Sequence, residues 1–348
     1  MAKHNIEKTK KDLLGQYMTT NADVLLENYK GLVLDRVVLD PCEGHGDLTN
    51  WAWKNGATDI EGYDIEPVLD HTEYRDLYST DQPLPDYSGK LIVTNPPYLS
   101  SNRSDDKTVF DTWKQNDLYK CYLATLSYHN VDEAIIIQPS NFLFESRSGA
   151  REMLFENYNI KQAEYWEHPV FDDAVIGIMT MHIQKKDFPQ IGQDQNFTII
   201  NRTKDISTDV TLEARYNYLD GKEFFDYIRN APRHSFERVH EGMDPPNSNI
   251  VLSIMEGTHG ICLLYNDAEP IYTPEKSFTT YQINLPFELS EAEQREAVGE
   301  FNKILNGYRK QYDSRFLSNY IAAEQKILSR DYANKLLAKI LLKHFYGI

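Results

Sequence analysis

One stretch of the chain decides the fold: VVLDPCEGHGDLTNWAWKNGATDIEGYD, residues 37–64. An apolar run at its start ends in Asp40, a loop with two glycines follows, and a second apolar run ends in Asp64. Short apolar runs that stop at polar or glycine-rich positions predict buried strands, and the longer segment between them has a helical pattern. This succession is typical of a mainly parallel sheet with helices on both faces.

The same alternation continues as far as Lys186 and then stops. Strands are predicted at 37–40, 59–64, 90–94, 133–138, 161–166 and 177–184, with the last two at the edge of the sheet. Beyond Lys186, turn-forming residues separate short strand-like runs, and residues from about 291 onward predict two or three helices. A chain of 348 residues can bury two cores. We therefore predict a domain boundary near 186–196 and a second, smaller, mixed α/β domain.

The composition restricts the classes of partner and compartment. A net charge of −17 weighs against nucleic acid, although residues 294–348 contain more basic than acidic side chains and could form a local positive surface. The three cysteines and ten histidines lack the paired spacing of a disulfide framework or a zinc site. No apolar run has the length of a signal peptide or a membrane span. We expect a cytoplasmic protein without a membrane partner.

The glycine loop after the first strand is the first candidate site. Gly44 and Gly46 would let a ligand lie against the backbone. Thr49 stands where a dinucleotide fingerprint has its third glycine, and no Gly-Lys-Ser/Thr follows, so a nucleoside without phosphates suits the loop better than a pyrophosphate. Asp64 lies where folds of this type place the carboxylate that accepts both ribose hydroxyls. The alternative is an ordinary turn followed by a solvated aspartate.

The second candidate site is LIVTNPPY, residues 91–98, where a buried strand ends in Asn95-Pro96-Pro97-Tyr98. The prolines restrict the backbone, so the Asn95 side-chain amide and the Pro96 carbonyl can both accept hydrogen bonds from one NH2 group. Such acceptors favour a nucleophilic amine nitrogen, and Tyr98 could stack on a base rotated out of a duplex. The alternative interpretation is a rigid surface turn.

These motifs, in this order, resemble the gamma-class adenine-N6 DNA methyltransferases of restriction-modification systems, over about residues 15–186. The resemblance implies a Rossmann-like, seven-stranded methyltransferase sheet with S-adenosylmethionine as cofactor. It also implies a catalytic, cofactor-binding domain at 1–186 and a target-recognition domain that binds DNA at 187–348.

The resemblance also implies a role for each matched residue. The GQYMTT segment places Thr19 near the amino-acid end of the cofactor, although Thr20 stands where the family usually has proline. Asp64 corresponds to the ribose-binding acid, Asp76 and Leu77 to the pair that contacts the cofactor adenine, and Phe171 to a residue that stacks on the flipped base. The complete cofactor-binding set is Thr19, Asp40, Pro41, Gly44, Gly46, Asp64, Asp76 and Leu77. The complete catalytic set is Asn95, Pro96, Pro97, Tyr98 and Phe171, and no metal is expected.

The function predicted from the sequence is site-specific methylation of the N6 amine of an adenine flipped out of double-stranded DNA. A companion restriction endonuclease is a possible partner, and the sequence leaves its presence open. Two alternatives remain open at this point. The same catalytic motif could act on RNA or on a protein glutamine, since both present a planar amine-bearing group. A DNA-binding specificity protein with an inactive methylase domain is the third hypothesis, motivated by the acidic charge and by Thr20.

Overall fold

The computed structural model describes residues 15–82, 85–145, 149–171, 176–221, 234–240, 244, 246–257, 259–267, 279–319 and 325–346. The chain forms two compact units. The first comprises Met1–Phe142, Arg147–Tyr218 and Ala322–Glu324, and the second comprises Leu143–Ser146, Leu219–Ile321 and Gln325–Ile348.

A large sheet organises the first unit. Its strands in the described residues are β1 Val37–Asp40, β2 Asp59–Asp64, β3 Glu73–Tyr74, β4 Leu91–Thr94, β5 Glu133–Pro139, β6 Tyr158–Tyr165, β7 Ile178–Lys185, β8 Gln195–Asn201 and β9 Ile206–Leu212. They are arranged in the order β3-β2-β1-β4-β5-β7-β6-β8-β9. Neighbours pair in parallel except where β7 meets β5 and β6 and where β9 meets β8. The predicted α/β fold class is confirmed.

The prediction that β6 and β7 are edge strands is wrong. β7 lies between β5 and β6, and β8 and β9 extend the sheet beyond β6, so the described sheet has nine strands where seven were predicted. The outer backbone amides and carbonyls of β6 do not form an unpaired edge, because β6 pairs in parallel with β8. β8 begins within residues 192–196, whose turn-forming side chains suggested a linker. The segment Arg147–Tyr218 of the first unit thus extends past residues 186–196, where the sequence predicted a boundary.

Helices flank the sheet of the first unit. They are α1 Ala22–Leu25, α2 Lys30–Val33, α3 Asp47–Lys54, α4 Thr108–Trp113, α5 Leu118–Tyr128, α6 Asn141–Phe144, whose last two residues belong to the second unit, and α7 Gly149–Asn157. α3 buries Leu48, Trp51 and Ala52, which recur at helical spacing. The centres of β4 and β5 are apolar and fully buried, as expected for parallel strands covered on both faces.

The second unit has a different architecture. Its strands are β10 Ser235–Arg238, β11 Ile250–Ser253, β12 Cys262–Tyr265 and β13 Thr280–Asn284, with a small pair, β14 Ser318–Asn319 and β15 Lys326–Ile327. The first four form an antiparallel sheet in the order β10-β13-β11-β12. Two long helices, α8 Glu291–Gln311 and α9 Arg330–Tyr346, contribute to the same apolar core as this sheet. The predicted C-terminal helices and the mixed α/β character are therefore present.

Within the ranges given above, no helix is both long enough and apolar enough to span a bilayer.

Candidate active site

A cavity of about 360 Å³ lies beyond the C-terminal ends of β1, β2 and β4. The strand order reverses between β1 and β4, and open α/β sheets bind ligands at such a switch point. Its volume falls in the range of small-molecule sites. The residues that line it are Gln16, Tyr17, Met18, Pro41, Cys42, Gly44, Asp64, Ile65, Arg75, Asp76, Leu77, Tyr78, Asn95, Pro97, Leu99, Ser104, Asp106, Val109, Phe110 and Leu118.

The polar part of the cavity is formed by the glycine loop and by Asp64. The Gly44 amide donates to Asp64 Oδ2 at 2.9 Å, and the Glu66 amide donates to Oδ1 at 2.8 Å. These bonds orient a carboxylate that lines the cavity and is only 7% exposed. Because a carboxylate offers about four lone-pair sites, each oxygen can still accept a hydroxyl. Asp64, which the sequence nominated as a ribose-binding acid, thus lines the cavity.

Asp40 and Gly46 are not among the residues that line the cavity. Asp40 Oδ1 accepts from the Cys42 amide at 3.0 Å and from Thr94 Oγ1 at 2.7 Å, which fixes the start of the loop to β4. Burial raises the pKa of the Asp40 carboxyl to about 8. Gly46 has φ 81° and precedes α3 as its N-cap. Of the predicted loop residues, Pro41 and Gly44 line the cavity directly.

Glu43, an acidic residue of this loop, was not predicted from the sequence. Its side chain is buried and accepts from Thr49 Oγ1 at 2.8 Å and Thr72 Oγ1 at 2.5 Å, while His71 Nε2 lies 2.8 Å from it. A Cβ atom at Gly62 would lie 1.7 Å from Glu43 Oε2. Glu43 therefore joins the glycine loop, α3 and the segment after β2. A charged residue in a glycine loop is usually solvated, so no sequence signal pointed to this role.

The opposite part of the cavity is more apolar. Leu77, Leu99, Val109, Phe110 and Leu118 line it, together with Asp76 and Tyr78. Asp76 Oδ1 accepts from the Tyr78 amide at 3.0 Å, which orients its carboxylate. This combination of an apolar wall and one oriented acid can hold a purine ring. Asp76 and Leu77 are thus brought to the same cavity as Asp64.

Asn95 is held in a defined orientation at the end of β4. Its Nδ2 donates to the Tyr17 carbonyl at 2.8 Å and to Thr19 Oγ1 at 3.0 Å. A backbone carbonyl can only accept, so this end of the amide must be the NH2 group. The opposite end, Oδ1, is the acceptor that the predicted chemistry requires.

Thr19 is buried and does not line the cavity, and it contacts Asn95. The rest of the catalytic motif surrounds Asn95. Pro97 lines the cavity and Pro96 is buried. Tyr98 is only 6% exposed, and its hydroxyl lies within hydrogen-bond distance of both Asn95 Oδ1 and the Ile137 carbonyl, the latter at 3.0 Å. Burial raises the pKa of the Tyr98 phenol well above its usual value, so the hydroxyl acts as a donor.

Phe171, the second predicted stacking residue, is not among the residues that line the cavity. It is 4% exposed, and the residues that follow it, 172–175, lie outside the described ranges.

The N-terminal segment contributes more than the sequence suggested. The Tyr98 amide donates to the Gly15 carbonyl at 2.8 Å, and a Cβ atom at Gly15 would lie 2.7 Å from the Tyr98 backbone. This close approach explains a glycine, with φ 68°, at the start of GQYMTT. It also positions Gln16, Tyr17 and Met18 along the cavity.

Comparisons with known proteins give one match at the level of sequence families. Residues 87–171, which include Asn95–Tyr98, match the model of the Eco57I restriction-modification methylase family. None of the curated proteins matches the chain.

Several solved structures are similar to part of the chain. The methyltransferase subunit of a type I restriction-modification system from Streptococcus thermophilus is 16% identical, over 56% of this chain and 50% of its own, with a TM-score of 0.40. The type IIG restriction endonuclease BpuSI is 13% identical, over 64% of this chain and 36% of its own, with a TM-score of 0.42. The M protein of the type I enzyme EcoKI is 12% identical, over 86% and 73%, with a TM-score of 0.40. The chain spans half or less of the length of the first two.

The catalytic motif at the end of β4 thus lies inside the segment that matches the family model. The resemblance to restriction-modification methyltransferases predicted from the sequence is confirmed by the match of residues 87–171 to the model of the Eco57I restriction-modification methylase family.

Proposed function

We propose that this protein is a DNA methyltransferase that transfers a methyl group from S-adenosylmethionine to the N6 amine of an adenine flipped out of duplex DNA. The observation that carries the proposal is the orientation of Asn95. Its Nδ2 is held by Tyr17 and Thr19, so Oδ1 is left as the acceptor beside a cavity that also contains Gly44 and Asp64.

The cavity fits the chemical groups of S-adenosylmethionine. Asp64 has lone pairs for the ribose hydroxyls, and the proposal assigns Asp76 and Leu77 to the adenine. Gly44 has no side chain, so a nucleoside without phosphates can lie against the backbone of the loop. When bound, the cofactor supplies an electrophilic methyl group on a sulfonium sulfur.

The residues of the chain would then prepare the amine. Asn95 Oδ1 and the Pro96 carbonyl accept the hydrogens of the target NH2, which reduces conjugation of its lone pair with the ring. Tyr98 donates to Asn95 Oδ1 without preventing this, because an amide oxygen has two lone pairs. The amine nitrogen would attack the methyl carbon, so that the N–C bond forms as the C–S bond breaks and the electron pair of the C–S bond stays on sulfur; the proton lost from nitrogen would pass to solvent. Positioning and electrostatics account for the catalysis, without a covalent intermediate.

The second unit is assigned by the same proposal to target recognition, with double-stranded DNA as the partner. A companion restriction endonuclease belongs to the proposal because the matching family is a restriction-modification family.

The experiment that tests the proposal measures labelled methyl transfer from S-adenosylmethionine to unmethylated duplex DNA, to RNA and to mixed protein, followed by nucleoside analysis. N6-methyladenine in DNA alone is the expected result. Label in RNA or on protein glutamine would instead identify the alternative substrates, and no transfer at all would favour an inactive methylase domain.

Two variants separate the catalytic step from cofactor binding. Asn95→Ala is expected to lower transfer by at least about 100-fold, comparable to loss of one donor or acceptor at a reacting centre, with little change in cofactor affinity. Asp64→Ala is expected to weaken cofactor affinity and to leave DNA affinity nearly unchanged. Near-normal transfer by Asn95→Ala would overturn the assigned mechanism.

A further inference from the structure

The first unit contains a second cavity, of about 520 Å³, next to the one that lies beyond β1, β2 and β4. Phe110 lines both cavities. The other described residues of the second cavity are polar or lack a side chain, and they are Asp111, Lys114, Gln115, Asn116, Lys120 and Gly149. Two cations, one anion and two amides suit a small anion better than an apolar ligand. This cavity is named the lysine pocket.

The lysine pocket lies at the edge of the sheet that carries the catalytic motif. α5 connects the parallel neighbours β4 and β5, so it begins at the edge where β4 ends. α7 lies between β5 and β6 in the chain, and these two strands have the same direction because both are antiparallel to β7. Lys120 in the first turn of α5 and Gly149 at the start of α7 therefore meet at this edge. The N-terminal amides of a helix add to the attraction for an anion.

The two lysines differ in their surroundings. Lys120 is only 5% exposed, and its Nζ lies 5.7 Å from the centroid of the Tyr119 ring. Lysine is seldom buried to this degree. Lys114 is exposed, forms no ion pair with any residue of the described ranges, and has φ 55° at the C-cap of α4. Glycine or asparagine adopts that conformation with less strain. The pocket thus combines one buried lysine with one whose charge is available to a ligand.

We propose that the lysine pocket binds a phosphate group of the DNA backbone, with Lys114 and Lys120 as its charged partners and the first amides of α7 as further donors. Asp111, the one acid on the described lining, is exposed, so solvent screens its repulsion of the phosphate. The choice of DNA rests on the proposed function, whereas the lining supports a phosphate from either source, the DNA backbone or free phosphate. Phosphate contacts position a protein on the duplex without reading its sequence. The pocket would therefore place the DNA beside the catalytic motif and leave the choice of target to other residues.

Gly149→Asp separates binding from folding. A Cβ atom at Gly149 would meet no atom within 4 Å, and an acidic side chain at the start of a helix is favourable, so this variant should be at least as stable as the wild type to denaturant. Its carboxylate would repel a phosphate and compete with it for the lysines. Gly149→Ala adds the same Cβ atom without the charge and is the matched control.

The first readout is the binding of a labelled duplex oligonucleotide at several salt concentrations. Loss of one phosphate contact predicts that Gly149→Asp reduces the slope of log K against log salt concentration by about 0.9, which is roughly an eightfold loss of affinity at about 0.1 M salt. Lys114→Asn should have a similar effect. Gly149→Ala and Lys54→Asn, which changes an exposed lysine at the end of α3, should keep the wild-type affinity. The dissociation constant for S-adenosylmethionine should stay within about twofold in all four variants.

The second probe is inorganic phosphate, titrated at constant ionic strength and followed by calorimetry. Saturable phosphate binding that is lost in Gly149→Asp, together with equal DNA affinities of this variant and the wild type, would keep the phosphate site and overturn DNA as its source. Equal DNA affinities and salt slopes in Gly149→Asp, Gly149→Ala and the wild type, with no phosphate binding, would overturn the inference. Neither readout requires methyl transfer, so a wild type that binds DNA in this way without methylating it would overturn only the proposed function.

Discussion

At the level of single residues, two buried carboxyl groups hold the glycine loop in place. Asp40 connects the loop to β4 through Thr94, and Glu43 connects it to α3 and to the segment after β2 through Thr49 and Thr72. Burying such groups is costly unless hydrogen bonds compensate, and both accept hydrogen bonds from backbone or hydroxyl donors. The loop that lines the cavity is therefore held from behind by groups that would not themselves touch a ligand.

The raised pKa of Asp40 predicts a specific dependence of stability on pH. The folded-state pKa of about 8 lies above the value of about 3.9 in an unfolded chain, so the unfolded chain loses this proton first. The contribution of the Asp40 proton to the free energy of unfolding is therefore complete below about pH 4, and it is lost as the pH rises through 8. Asp40→Asn keeps an acceptor for Cys42 and Thr94 but does not titrate.

We expect the stability difference between Asp40→Asn and the wild type to shift in favour of the variant between about pH 5 and pH 8, by at most about 1.4 kcal/mol per pH unit. Urea unfolding at a series of pH values measures it. A difference that is constant over this range would show that Asp40 does not titrate there.

Gly62 predicts an energetic coupling with Glu43. Because a Cβ atom at Gly62 would overlap Glu43 Oε2, Gly62→Ala should lower the free energy of unfolding by about 1–3 kcal/mol. In a Glu43→Ala background the overlap is absent, so the same change should cost much less. A double-mutant cycle by denaturant unfolding measures the coupling, and strictly additive losses would contradict it.

The chemistry of the site was readable from single residues only where the residues form a local motif. Asn95 to Tyr98 and Asp64 follow apolar runs, so the sequence predicted them at one edge of the sheet. Tyr17 and Glu43 could not be assigned, because their partners lie far away in sequence and meet them only through the folded chain: Tyr17 contacts Asn95 and Tyr98, and Glu43 contacts Thr72.

At the level of elements, β1 and β2 match the predicted strands in full, and β4, β5 and β7 match within one residue at each end. β3 was missed because it has two residues and two exposed side chains, which leave no periodic pattern. β8 was misread because its parallel pairing with β6 is non-local, whereas the turn-forming residues at its start are local. Local patterns thus predicted the positions of the strands better than the order in which the strands pair in the sheet.

The start of α8 gives a prediction for an element of the second unit. Ser290 and Glu293 form a capping box, in which the Ser290 hydroxyl accepts from the Glu293 amide and the Glu293 carboxylate accepts from the Ser290 amide. Ser290→Ala should lower the free energy of unfolding by about 0.5–2 kcal/mol. Ser235→Ala, at an exposed position of β10, is the control and should change it by less than about 0.5 kcal/mol. Equal effects of the two substitutions in chemical denaturation would contradict the capping role.

For the molecule as a whole, the charge of −17 has to be reconciled with the DNA partner proposed above. The basic excess of residues 294–348 is consistent with local phosphate binding. Lys303 and Lys310 are exposed and lie seven residues apart in α8, so they occupy the same face of that helix. Lys343, by contrast, pairs with Glu300 at 2.7 Å.

We expect DNA binding to weaken steeply with salt. The Lys303→Gln/Lys310→Gln double variant should reduce the slope of log K against log salt concentration by about 0.9 for each phosphate that these lysines neutralise in the wild type. Binding curves at several salt concentrations measure the slope. Lys343→Gln is the control. If the double variant and the control have the same slope as the wild type, DNA does not bind to this face.

The two outer strands of the described sheet also affect how the protein behaves at high concentration. On one side the sheet ends in β3, which has only two residues, and on the other in β9, which carries the exposed side chains of Asp209 and Thr211. A short edge offers few unpaired amides and carbonyls to a second molecule, and a charge on the other edge opposes strand addition. The margins of the sheet therefore disfavour the edge-to-edge association that leads to insoluble protein.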